Sequence, residues 1–181
     1  MISNGPWKIK ERVEKYKNPW MEIFEDQVIR PDGTPGIHGV VNLQSGATTI
    51  CVDSEGYTYL GKEFFYALGR YELVCATGAR DKNEDYLTCA KRELEEELGI
   101  SADKWTDFGD FNPLTTVVKA PMRLFLAEDL TLKEQHLEGT EDITRVKIKL
   151  SEAVKKIGSE ITAGPTCTAL IKAYLHLKER K

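Results

Sequence analysis

The chain has 181 residues, 41% hydrophobic and 30% charged, a balance that suits one globular domain with a sizeable core and an added arm. Its net charge of -4 lacks the basic excess of proteins that follow phosphate backbones or anionic bilayers, so no nucleic-acid and no membrane partner is expected. The opening MISNGPWKIKERVEKYKNPW has no apolar core of a signal peptide, and Cys51, Cys75, Cys89 and Cys167 form no CxxC pair. Reduced, mostly buried thiols in a cytoplasmic protein are therefore expected.

Residues 1–17 are lysine-rich and weakly patterned, and predict a short helix or a loose arm. From Trp20 the alternation in WMEIFEDQVIR predicts a strand closed by the turn PDGTPG, and VVNLQ follows as its partner. ATTICVD and YTYLGKEFFYAL flank the turn DSEG and predict a hairpin. After the apolar run ELVCATG the period changes: Leu87, Ala90, Leu94 and Leu98 recur at helical spacing between Glu84 and Leu98, with Gly99 where a C-terminal glycine cap belongs. APMRLFLAEDL and ITRVKIKL predict strands, and SEAVKKIG a short helix opened by Ser151. PTCTALIKAYLHLKERK predicts a terminal amphipathic helix with Leu170, Ala173, Tyr174 and Leu177 on its apolar face. Strands interleaved with few helices predict an α/β sandwich on a mixed sheet.

The stretch CAKRELEEELGI crowds four glutamates, Glu93, Glu95, Glu96 and Glu97, into little more than one helical turn. Residues three and four apart share a face, so Glu93, Glu96 and Glu97 project together, opposite the stripe of Leu87, Ala90, Leu94 and Leu98. Three carboxylates on one face suit a hard divalent cation, since Mg²⁺ takes oxygen ligands and commonly binds through a few carboxylates plus substrate phosphates. On the helix alone, a solvated acidic face with an Arg92–Glu96 pair explains the charges as well.

The residues upstream decide between the two. Gly78, Glu84, Arg92–Glu93, Leu94, Glu96–Glu97, Gly99 and Ile100 fill nine constrained positions across the 23 residues GARDKNEDYLTCAKRELEEELGI, a pattern that resembles the Nudix box. With its N-terminal strand pair, YALGRYE, RLFLAEDL, GTEDITRV and GSEI, the chain resembles the ADP-ribose and nucleoside diphosphate sugar pyrophosphatase branch of that family. The resemblance implies a Nudix-type α/β/α sandwich with a mixed sheet and an N-terminal antiparallel strand pair. It also implies residues 1–43 as an arm that pairs subunits into a homodimer, and residues 44–181 as the hydrolase domain.

The implied cofactor is Mg²⁺, with Mn²⁺ as the alternative, and the implied reaction is hydrolysis of a nucleoside diphosphate sugar to a nucleoside monophosphate and a sugar phosphate. Glu93 and Glu97 are the implied principal metal ligands, completed by Glu96 and the backbone carbonyl of Thr77. Arg92 would orient the carboxylates and Glu84 would support them from outside. Glu141 in TEDI is the first choice for general base, with Glu138 and Asp142 as alternatives. Trp20 and Phe24 would offer a platform for the base, or pack plainly. ELVCATG stands where the branch usually carries Glu-Leu-Pro-Ala-Gly, and Phe64 and Phe65 where it usually has an arginine, which puts ADP-ribose itself in question; Arg70 could supply the charge for a distal phosphate. Other nucleotides (a damaged triphosphate, a dinucleoside polyphosphate, an RNA 5′ end) and a non-catalytic nucleotide-binding role are the competing readings. His38, His136 and His176 receive no role.

Overall fold

The structure, a computed structural model, describes residues 1–137, 139 and 141–180. In chain order its elements are β1 (Ile2–Asn4), β2 (Trp7–Lys17), β3 (Met21–Ile29), β4 (Pro35–Leu43), β5 (Gly46–Cys51), β6 (Tyr57–Phe65), β7 (Arg70–Val74) and β8 (Ala76–Ala79). Then follow α1 (Tyr86–Leu98), β9 (Ile100–Phe111), β10 (Val118–Lys119), β11 (Met122–Leu132), β12 (Ile143–Lys149), α2 (Leu150–Lys155) and α3 (Gly164–Glu179). They form two units, residues 1–45 with 112–121 and residues 46–111 with 122–181.

The first unit is a five-stranded sheet in the order β1-β2-β3-β4-β10. The expected strand pair is there, running from Met21 opposite Leu43 to Ile29 opposite Pro35. The helix or loose arm expected over residues 1–17 is not: these residues form β1 and β2, and β2 pairs along the length of β3. The alternation of β2 was hard to read because its register shifts between Ile9 and Glu11 and again between Glu14 and Tyr16, and each shift moves the apolar set to the other face. Arg12 and Asp26 fix that register. The guanidinium donates to both carboxylate oxygens at 2.7 Å, and this holds the Asp26 carboxyl below its usual range although the residue is only 3% exposed.

The second unit holds two sheets, a mixed one in the order β8-β5-β11-β9 and an antiparallel one in the order β12-β6-β7. Here the expected hairpin keeps its turn, where the Asp53 amide donates to the carbonyl of Tyr57 at 2.9 Å, but not its ladder. β5 pairs in parallel with β11 and antiparallel with β8, β6 lies between β12 and β7, and Val52–Thr58 is the bridge that joins the two segments. Propensity marked both strands correctly, but the long-range partner β11 outcompeted the local one. β9 escaped the sequence reading because its charged and glycine residues, among them Asp103, Lys104, Asp107, Gly109 and Asp110, dilute the apolar pattern of an edge strand.

Helices cover both faces of the strands, as the period of two requires. Ile50, Leu60, Leu124 and Leu126 pack with Leu150, Ala153, Ala169, Leu170 and Ala173 of α2 and α3. Their strand neighbours Cys51, Tyr59 and Ala127 point the other way, onto Leu94 and Leu98 of α1. α2 begins at Leu150, with no side-chain cap, rather than at Ser151. Of the predicted α1 stripe, Ala90, Leu94 and Leu98 are fully buried while Leu87 is partly exposed. All four cysteines are free thiols, three of them buried. Among the described residues no helix is long and apolar enough to cross a membrane.

Leu94 fills the interior between α1 and the strands with no exposed surface. Leu94→Ala is expected to lower unfolding free energy by about 2–5 kcal/mol, read as a lower urea midpoint at unchanged slope.

Candidate active site

Glycines and an aspartate set the position of the acidic helix. Asp85 caps α1, its Oδ1 accepting from the amides of Leu87 at 2.9 Å and Thr88 at 3.0 Å. Sequence reasoning placed the start at Glu84 and missed this cap, although Asp is a favoured N-cap residue. At the other end Gly99 takes the left-handed conformation, φ 59°, and the chain turns at once into β9.

Gly78 on β8 lies close against the Glu93 carboxylate. A Cβ there would collide with the Glu93 carboxylate, so glycine leaves that side chain its place over the strand. The backbone just before it is equally committed: the amide of Thr77 donates to Oε2 of Glu97 at 3.0 Å. One arginine gathers the remaining acids. Arg92 donates through Nε and Nη2 to Glu84 at 3.0 and 3.1 Å, and through Nη1 to Glu93 at 2.8 Å and Glu96 at 3.1 Å. Its Nη2 also reaches the carbonyl of Ala79 at 3.0 Å, which ties α1 to the strand beneath it.

These partners divide the glutamates into two kinds. Glu84, held chiefly by Arg92, has its carboxyl below the usual range. Glu93 and Glu97 are only 8% and 7% exposed, and burial pushes them the opposite way. Glu93 rises to about 7 despite Arg92. Glu97, buried next to Glu93, rises well above the ordinary carboxylate value although the Thr77 amide donates to it. The sequence put these side chains on a face opposite the core; the structure buries that face as well.

Two more acids act on the pair. The negative charges of Glu141 and Glu63 raise Glu97, and Glu141 raises Glu93 and Glu63 too. Sequence reasoning missed Glu63. No local signal marks it: only in the structure does a Cβ at Gly61 stand 3.5 Å from Leu98 of α1, and Glu63, two residues on, shares that face. Burial is the main cause of its raised carboxyl. Of the alternative bases, Asp142 accepts a hydrogen bond from the hydroxyl of Tyr71, and Glu138 lies outside the described residues.

The three residues expected to contact substrate have partners of their own. Arg70 opens β7 and gives its guanidinium to buried Glu72, at 2.8 Å from Nε, and to Thr162 at 3.1 Å, so it is engaged within the fold. Phe24 lies on β3 in the first unit under the Arg12 guanidinium, 5.2 Å away. Trp20, 71% exposed, is not on that strand as expected but in the turn before it, where Asn18 accepts from its amide.

Comparison with known proteins gives this constellation its family. Residues 43–160 match the model of the NUDIX domain. The chain belongs to the Nudix hydrolases. Residues 7–41 match the nucleoside diphosphate sugar hydrolase N-terminal domain, which supports the ADP-ribose and nucleoside diphosphate sugar branch. An ADP-ribose pyrophosphatase of Bacillus subtilis (strain 168) is 29% identical over 162 residues, 88% of this chain and 86% of that protein. A methanol dehydrogenase activator of Bacillus methanolicus is 24% identical over 161 residues, with the same coverage of each. The crystal structure of an ADP compounds hydrolase has a TM-score of 0.83 at 17% identity, covering 99% of this chain and 98% of the other, a likeness that speaks for the fold.

Nudix hydrolases generally use a divalent metal, and the residues present fit one. Glu93 and Glu97 are hard oxygen donors buried with less positive charge than they need, which a divalent cation would supply. Among the described residues, no three His, Cys, Asp or Glu side chains already stand as a closed ligand cage; Arg92 holds Glu93 and Glu96 in its place.

Two expectations follow for the protein itself. Gly78→Ala displaces the Glu93 carboxylate, so metal affinity measured by calorimetry should fall at least tenfold while the far-ultraviolet spectrum stays unchanged. In chelator, native Glu93 and Glu97 bind protons that the unfolded chain has released, because their native values lie above the ordinary 4.5. Stability of the metal-free protein should therefore fall as pH rises from 4.5 through about 7. Glu97→Gln should flatten that slope in urea titrations, and metal should raise the melting temperature of the wild type more than that of the variant.

Proposed function

We propose that the protein hydrolyses the pyrophosphate bond of a nucleoside diphosphate sugar, of the ADP-ribose or GDP-mannose kind, to a nucleoside monophosphate and a sugar phosphate, with Mg²⁺ as cofactor and Mn²⁺ able to replace it. The observation that carries this reading is the buried pair Glu93 and Glu97, seated on Gly78 and Thr77 and facing the negative charge of Glu141. The match of residues 7–41 to the sugar-hydrolase N-terminal domain supports the substrate class.

Glu93 and Glu97 would hold the cation, with Glu96 released from Arg92 to join them and the Thr77 carbonyl as a further oxygen. When bound, the cation neutralises diphosphate charge and makes water a better nucleophile at neutral pH. Glu141 accepts the proton of the attacking water as general base, and Glu63 adds negative charge beside it. Arg92 keeps Glu93 and Glu96 oriented without touching substrate. Arg70 would meet a distal phosphate only by leaving Glu72. We assign residues 1–43 to a subunit-pairing arm and residues 44–181 to hydrolysis, in a cytoplasmic homodimer; the four free thiols fit that compartment.

The test is hydrolysis of ADP-ribose, GDP-mannose, ADP-glucose and UDP-glucose in Mg²⁺, wild type beside Glu97→Gln, with both products followed by chromatography. One sugar nucleotide should turn over, and the variant should lose at least about a hundredfold, roughly 2.7 kcal/mol of barrier. Turnover of none, or release of pyrophosphate from nucleoside triphosphates instead, would overturn the substrate class.

A further inference from the structure

In the segment between β11 and β12, which carries Glu141, the described residues 133–137 and 141–142 are held at opposite ends. Its first half is fastened to the end of α1, where the last carbonyls of any helix lack partners. The amide of Lys133 donates to the carbonyl of Gly99 at 2.6 Å and the amide of His136 to that of Glu96 at 3.0 Å. The Gln135 side chain donates to the carbonyl of Glu97. From β12, Arg145 adds hydrogen bonds to the carbonyls of Leu98 at 2.6 Å, Gly99 at 3.1 Å and Lys133 at 3.2 Å. The segment therefore starts on the same helical turn that carries Glu96 and Glu97.

Its other end meets the β6–β7 hairpin. The hydroxyl of Tyr71 donates to Oδ2 of Asp142 at 2.5 Å, within the range for a hydroxyl on a carboxylate. The Tyr71 ring is itself braced. Phe64, opposite it in the β6–β7 register, meets it edge-on at 5.3 Å, and the Lys62 ammonium lies 5.2 Å from the ring centre. Asp142 directly follows Glu141 and directly precedes Ile143, which is buried against α1 opposite Glu63. Glu141 thus sits between an anchor on α1 and an anchor on Tyr71.

We propose that Tyr71 is a positioning residue for catalysis, latching Asp142 so that Glu141 is held over the carboxylate face of α1. This rests on the reading of Glu141 as the general base. Tyr71 is 48% exposed and touches none of the carboxylates assigned to the cation, so its loss should act on the chemical step and leave substrate and metal binding in place.

The experiment uses the full-length protein and the sugar nucleotide it turns over best. Tyr71→Phe keeps the ring and removes the donor; kcat should fall about tenfold, the equivalent of about 1.4 kcal/mol, while KM and Mn²⁺ affinity stay within about twofold and the melting temperature within about 2 °C. Asp142→Asn keeps an acceptor and should lose less than about threefold. Asp142→Ala should match Tyr71→Phe, and the double variant should be no slower than either. Wild-type kcat in Tyr71→Phe, losses that multiply in the double variant, or a parallel fall in Mn²⁺ affinity or melting temperature would each overturn the latch. Asp142→Asn as slow as Glu141→Gln would make Asp142 the proton acceptor and also overturn it. A slow Glu141→Gln beside an unaffected Tyr71→Phe sinks the latch alone; a fully active Glu141→Gln sinks both it and the reading of the base.

Discussion

The second unit is organised around the cost of burying Glu93 and Glu97. Two carboxylates under a tenth exposed repel one another and miss the solvent that would stabilise their charge. Arg92 compensates only one of them directly. Much of the local structure serves to hold this arrangement: Arg92 on Glu84, Glu93, Glu96 and the strand below, the Thr77 amide on Glu97, and Gly78, which leaves the space that Glu93 occupies. A site kept short of positive charge is one prepared for a cation.

The same region shows how a helix can be buried on two sides. Leu94 and Leu98 anchor α1 to Cys51, Tyr59 and Ala127, and this packing fixes the rotation of the helix. Once the apolar stripe is seated, the acidic face has no freedom of its own, and it points where β8 and the face of Gly61 and Glu63 close around it. The fold's hydrophobic energy is thereby the source of the electrostatic strain at the site, much as active sites elsewhere store strain in groups their surroundings over-determine.

The acidic helix, its closing Gly99 and most strands could be read along the chain because their signals are local: a period of 3.6 for α1, a period of two for β3 and β11, a left-handed residue at Gly99. Features that depended on non-local partners could not be. β2 hid behind two register shifts, β9 behind its charges, and the β5–β6 hairpin kept only its turn and one bridge while β5 paired in parallel with a strand 76 residues further along the chain. Glu63 was overlooked for the same reason. Nothing in GKEFF distinguishes it from an exposed strand glutamate until Gly61 is seen against Leu98.

Sequence alone determined which residue types were available at each step of the chain, and so the family, the acidic helix and the candidate ligands, because motif spacing survives any later choice of packing. Tertiary structure decided which of those residues share an environment. It buried Glu93 and Glu97, joined Glu63 and Glu141 to them electrostatically, bound Arg70 to Glu72 and gave Asp142 to Tyr71. Burial and Coulomb interactions depend on distance through space, which the order of residues along a chain does not specify.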